Sequence, residues 1–313
     1  MPENGYCHVG ISCLDEGQNP IIQERTLNQR RPNTPPARPI VQRVWIRYAK
    51  RSRLRFTSHR DFARAFERAL RRAGVPMAYS AGFTPHPKVS YLGAAPTGVA
   101  SEAEYLEIGL ADRVDCDLLR AALDQALPAG LDVVECHDAG PGSLAGWIDA
   151  SAWRIALPGV AVDDLRGAVE RFEASESVEV ERLTKSGRRK IDARAAVVTL
   201  GTADSATIGD PGASPVAPAS SATPCCAIPH ACGGVPSACA ILELVVRQVT
   251  PAVRPDDVLA ALRAVAGFVP PVPPWVTRMA QGRLDGSGRL ADPLAPVRTA
   301  RLSAPSVGTT PVG

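Results

Sequence analysis

SHRDFARAFERALRRAG, residues 58–74, is the stretch from which the fold can be read. Ser58 followed three residues later by Asp61 fits the S-x-x-D pattern, in which a serine oxygen accepts an orphaned amide at a helix start. Phe62, Ala65, Phe66, Ala69, Leu70 and Ala73 recur at helical spacing and define an inward face. Arg60, Arg64, Arg68 and Arg71 fall opposite them, and Gly74 with Pro76 ends the helix. The segment thus reads as one helix with a packed side and an arginine ridge. Such a helix must bury its apolar stripe against another layer, and strands on either side supply one.

Upstream, residues 41–48 (VQRVWIRY) alternate apolar and basic side chains like a half-buried strand, and residues 53–57 read as its partner or continuation. Downstream, residues 77–80 read as a short strand and residues 82–98 as a Gly/Pro-punctuated loop. Residues 104–110 (EYLEIGL) alternate again. Residues 115–127 form a second amphipathic helix, with Asp115 as its cap, and residues 131–136 a closing strand. The order is βαββαβ, the ferredoxin-like split motif.

A less regular copy follows. Residues 153–157 read as a strand, 162–173 as a helix, and 178–183 with 190–200 as a hairpin turning at 185–189. Residues 241–249 are a strong strand and 256–265 a helix. The expected fold is α+β, with two tandem ferredoxin-like domains at residues 41–140 and 150–268. The second carries a flexible insertion, the Ala/Ser/Pro/Cys-rich residues 201–240. Residues 1–40 read as a disordered leader, and 269–313 as a stiff VPPVPPW segment fading into a polar tail.

A length of 313 residues and a hydrophobic content of 45% leave room for such a pair of cores. Net charge is only +3, yet residues 41–110 hold 12 Lys/Arg against 5 Asp/Glu, so one segment is basic in a near-neutral chain. That asymmetry points to an anionic partner, or to a solvated arginine-rich face. The first 20 residues lack an apolar signal core, and no window approaches the ~18 apolar residues of a membrane span. A cytoplasmic, reduced location without membrane contact is the resulting expectation.

Several chemistries lack their residues. There is no C-x3-C-x2-C trio for an iron–sulfur cluster, no phosphate-binding Walker loop and no G-x-G-x-x-G. Cys225, Cys226, His230, Cys232 and Cys239 invite a zinc reading, but adjacent cysteines bind one metal awkwardly. Set in low complexity, they read as incidental, and no metal is expected. Cys116 and Cys136 read as small buried hydrophobes.

The runs RLRFTSHRDFARAFERALRRAG (53–74), AYSAGFTPHPKVSY (78–91) and PTGVASEAEYLEIGL (96–110) resemble the signature of the DUF2344 family. The resemblance is close over residues 43–135 and looser through KSGRRKIDAR at 185–194. It implies association with a radical SAM protein, encoded beside or fused to relatives of this chain. Iron–sulfur cluster and SAM are then expected only in that partner, with no cofactor in this chain.

Within these runs the residues suited to an anion or RNA are Arg60, Arg64, Arg68, Arg71, Tyr79, Phe83, His86 and Lys88, joined by Arg188, Arg189 and Lys190 of the basic turn. Cations neutralise phosphates and aromatic faces stack on bases. His59 and His86 are the candidate acid/base residues. The plainer alternatives are that Ser58 and Asp61 only cap a helix, that Phe83 is core, and that Glu102, Glu104 and Glu107 form an acidic stripe on a half-exposed strand. Three functions follow: an RNA-binding accessory protein of a radical SAM enzyme, serving RNA modification; a stand-alone RNA-processing enzyme using His59 or His86; or a protein–protein adaptor. Many cations and no evident nucleophile–base pair favour binding over catalysis.

Overall fold

The arginine-bearing segment is helix α1 (His59–Arg72) in a computed structural model that describes residues 38–184, 187–204 and 238–303. Ser58 caps it as expected: its hydroxyl oxygen accepts the Asp61 amide at 3.2 Å and donates to the Asp61 carboxylate at 2.6 Å. Phe62, Phe66, Ala69 and Leu70 are buried, and Gly74, at φ +62°, closes the helix in the left-handed region that disfavours a side chain. Each large side chain so buried contributes roughly 1.5–3 kcal/mol.

That helix joins β1 (Gln42–Lys50) to β2 (Val89–Leu92); β3 (Ala100–Leu110), α2 (Cys116–Ala126) and β4 (Leu131–Asp138) complete the first half. β1 pairs antiparallel with both β3 and β4, and β2 pairs antiparallel with β3. Val44, Ile46 and Tyr48 of β1 meet Phe62 and Phe66 of α1 and Leu119 and Leu123 of α2 in one core. Cys116 and Cys136 are buried there, as expected. Trp45, Ala103 and Tyr105 point the other way, onto Leu144, Ile148 and Leu294.

The second half runs β5 (Ala150–Pro158), α3 (Val162–Glu173), β6 (Glu179–Thr184), β7 (Gly187–Asp192), α4 (Ala193–Ala196), β8 (Val197–Asp204), β9 (Cys239–Arg247), α5 (Pro255–Ala266) and β10 (Trp275–Leu284). β11 (Leu290–Ala291) and α6 (Ala295–Ser303) follow. β6 and β7 form a small sheet of their own. All other strands belong to one sheet in the order β4-β1-β3-β10-β5-β9-β8, with β2 on β3 and β11 on β10. The fold is mixed α+β, and its sheet is antiparallel except where β10 runs beside β3 at Thr277↔Ala100 and Arg278↔Ser101.

Several expectations change. Residues 53–57 are not a strand: Ser52–Phe56 is a 3-10 turn, entered through Ser52 at φ +49°. Residues 77–80 make only isolated bridges, Met77↔Leu110 and Tyr79↔Pro87, because the chain folds out and back as an irregular hairpin whose prolines cannot extend a ladder. The paired second strand is β2, inside the stretch read as loop. Residues 190–200 break at Asp192, whose carboxylate accepts the Arg194 and Ala195 amides and starts α4.

The largest correction concerns residues 269–303 of the segment read as a tail, whose remainder, 304–313, lies outside the described residues. Residues 269–303 hold a strand, a β-ladder partner and a helix, and β10 lies between β3 and β5 in the middle of the sheet. WVTRMAQGRL does not read as a central strand because two of its buried positions, Arg278 and Gln281, are polar. The halves are accordingly parts of one sheet. Of the expected insertion, β8 extends to Asp204 and β9 begins at Cys239; residues 205–237, with the cysteines and histidine read as incidental up to Cys232, and residues 1–37 lie outside the described residues.

Candidate functional site

Arg60, Arg64, Arg68 and Arg71 are all exposed on α1, opposite its packed face. Arg64 reaches Asp61 only at 4.0 Å; among the described residues Arg60, Arg68 and Arg71 have no carboxylate within ion-pair distance. Several arginines elsewhere are held by carboxylates. Arg47 holds Glu135 at 2.6 Å, Arg154 holds Glu243 at 2.8 Å, Arg182 holds Asp257 at 2.7 Å and Arg51 holds Glu102 and Asp132. Charge on the ridge is therefore left for solvent or a ligand.

The loop expected to work with the ridge is the hairpin that follows α1. Its stem is tied by Lys88 N–H to Ala78 O, Ala78 N–H to Gly109 O and Ser80 N–H to His86 O, each at 2.9 Å. His86, Lys88 and Tyr79 are exposed on it. Phe83, at the tip, is 87% exposed, which overturns its reading as core and leaves a bare aromatic ring. The hairpin leads directly into β2, whose Tyr91 packs against Phe62, Phe66 and His59 of α1. His59 meets the Tyr91 ring edge-on at 5.0 Å. Among the described residues neither His59 nor His86 has a side-chain hydrogen bond, so no hydrogen bond orients either ring.

The basic turn stands apart. Arg188 pairs with Glu181 at 3.3 Å and Lys190 with Glu179 at 3.0 Å, so these two charges are matched in place, while Arg189 stays exposed. The β6–β7 hairpin is anchored to the second half by Arg182 on Asp257 of α5.

The glutamates of β3 separate. Glu104 is 1% exposed and meets Arg278 at 2.5 Å, a partner from the segment read as tail and not from the ridge. Its other oxygen accepts the Ala95 amide at 3.0 Å. Arg278, 4% exposed, also donates to Gln281 and lies over the Trp153 ring at 5.1 Å. Lys50 is buried beside them, donating to Ala95 O and Pro96 O at 3.2 Å each. Burial lowers the Lys50 pKa, with Arg278 reinforcing and Glu104 opposing. Glu102 binds Arg51, and Glu107 accepts the Trp45 indole N–H at 2.7 Å. The acidic stripe is thus structural wiring, none of it a free acid/base pair.

On the opposite layer Glu135 gathers Arg47, Arg298 and His137. Burial opposes its ionisation, but His137, Arg47 and Arg298 outweigh that and hold the carboxyl at about 2. Among the described residues no cluster of His, Cys, Asp and Glu suits a metal ion, and no helix is long and apolar enough to cross a membrane.

Reading the sequence alone passes over Arg55, Phe56 and Trp275. The Arg55 guanidinium lies 4.8 Å from the Phe56 ring centre and 4.9 Å from that of Trp275. The available signal was an R-F pair just before a helix cap, but Trp275 lay in the supposed tail. Comparison with curated proteins gives no match. A family profile described as "Uncharacterized protein conserved in bacteria (DUF2344)" matches residues 43–255, which span β1 to the start of α5. That span takes in most of the chain, including the ridge, the hairpin and the glutamate-bearing strand, and the chain belongs to the DUF2344 family.

Proposed function

We propose that this chain is a binding subunit that holds single-stranded RNA through the ridge of α1 and the adjoining hairpin, on behalf of a radical SAM enzyme that modifies the RNA. The single observation that carries the reading is the set of exposed arginines Arg60, Arg68 and Arg71, clustered on one helix face and, among the described residues, without a carboxylate partner. A guanidinium without a carboxylate neighbour is ready to bind phosphate bidentately. Tyr79 and Phe83 add exposed rings beside His86 and Lys88. The radical SAM partner is what the resemblance to relatives implies. The strand orders β4-β1-β3 with β2 beyond, and β10-β5-β9-β8, support reading each half as a ferredoxin-like unit.

A salt titration of RNA binding tests this. Replacing Arg60 and Arg68 by alanine should weaken binding and flatten the slope of log affinity against log salt by roughly 1–2 units, at about 0.7 per phosphate contact. No binding at low salt, or equal slopes for native and substituted protein, would leave a protein–protein adaptor as the better reading.

A further inference from the structure

Arg55 is placed unlike any other arginine in the described residues. Its guanidinium lies over two aromatic rings, and its Nε is buried with no hydrogen-bond partner. No terminal nitrogen of Arg55 donates to a described residue either. The surroundings are built to hold it there: the 3-10 turn enters through the strained Ser52, and the Gly98 amide donates to the Arg55 carbonyl at 2.8 Å. Gly98 sits at φ +91°, and a Cβ there would touch the Phe56 ring at 3.8 Å.

The two rings are only partly covered. Phe56 is 59% exposed and Trp275 36% exposed, so part of each residue is open to solvent. Arg53 is exposed beside them and, among the described residues, has no carboxylate partner. Trp275 begins β10 opposite Ala156 of β5, which in turn pairs with Ile241 of β9; the next positions on that sheet face carry Thr277, Arg154 and Glu243. The Arg154–Glu243 ion pair, at 2.8 Å, thus lies one position further along that face from the aromatic–cationic cluster. Four residues beyond Phe56, Arg60 starts the unpaired ridge.

We propose that Phe56, Arg55 and Trp275 form a base-stacking subsite for single-stranded RNA, at the seam between the two halves. A base stacks on an exposed ring, the terminal nitrogens of Arg55 bind its carbonyl acceptors or the adjoining phosphate, and Arg53 neutralises the next phosphate. The inference rests on the RNA-binding reading above and adds where a base, and not only the backbone, is held.

The test compares a short single-stranded RNA with inorganic polyphosphate of matched charge, using the full chain and the variants Phe56→Ala, Trp275→Phe, Trp275→Ala and Arg60→Ala/Arg68→Ala. Phe56→Ala and Trp275→Ala should each lower RNA affinity about tenfold, within the range for loss of one stacked base, with polyphosphate affinity and salt slope unchanged. Trp275→Phe should retain most of the RNA affinity, which separates stacking from damage to β10. If the aromatic variants bind RNA like the native protein while the double arginine variant does not, the subsite is refuted and the backbone-binding reading stands. If the native protein binds polyphosphate as tightly as RNA, base stacking is refuted. Binding of neither overturns both.

Discussion

Arg278 reaches Glu104 across 174 positions of sequence, and both side chains are buried where β10 meets β3. A buried pair of this kind costs heavily to desolvate, and losing one member leaves the other charge without compensation. Glu104→Gln or Arg278→Met should each destabilise the protein by about 3–5 kcal/mol. Replacing both by apolar residues should recover a substantial part of the loss. Urea unfolding of the three variants checks this, and a double substitution no better than the worse single one would show that the pair acts through other partners.

Ending the chain at Phe268 removes β10 while keeping every element that sequence periodicity marks strongly. The shortened chain should lose its cooperative unfolding transition, because β3 and β5 then face solvent and Glu104 has no arginine. A cooperative melt close to that of the full chain would contradict the central place of β10.

The depressed Glu135 carboxyl carries a pH signature. A folded-state pKa of about 2 against the usual 4.5 stabilises the fold above about pH 4.5 and is lost as pH falls toward 2. The contribution is on the order of 3 kcal/mol at most. Glu135→Gln should therefore be less stable at neutral pH and flatter between those pH values. Denaturation midpoints measured across the window decide it: parallel curves for the two proteins would remove Glu135 from the account.

Gly282 of β10 leaves no room for a side chain, since a Cβ there would overlap the Ala291 carbonyl oxygen of β11. Gly282→Ala should push β11 off β10 and cost about 1–3 kcal/mol or more, as overpacking does. Hydrogen exchange at residues 283 and 291, which face each other across β10 and β11, reads the displacement, and unchanged protection there would exclude it.

How much of this was legible in the chain follows from where each side chain's energy comes from. α1 announced itself because Ser58, Asp61 and the Phe62–Phe66 stripe act locally, within one helix. The ridge was legible for the same reason. β10 was hidden because Arg278 and Gln281, besides bonding each other, are satisfied by Glu104 and Ala103, which lie far away in sequence. Phe83 misled in the opposite sense: a phenylalanine in a loop reads as buried unless the hairpin that lifts it into solvent is known. The clamp on Arg55 needed both β10 and the turn at Ser52, so no single stretch of sequence could show it.

The position of β10 also has a consequence for how the protein comes into being. During vectorial synthesis β3 and β5 emerge well before the strand that lies between them, so both present unpaired edges for the time it takes to make the intervening chain. Exposed strand edges invite pairing with other chains. The two halves are thus committed to wait for their last central strand, and the nascent chain is most vulnerable to aggregation just before Trp275 to Leu284 appears. A partner or RNA that engages α1 early would act on a protein whose sheet is still open, whereas the Phe56–Trp275 clamp can exist only after synthesis of the sheet is finished.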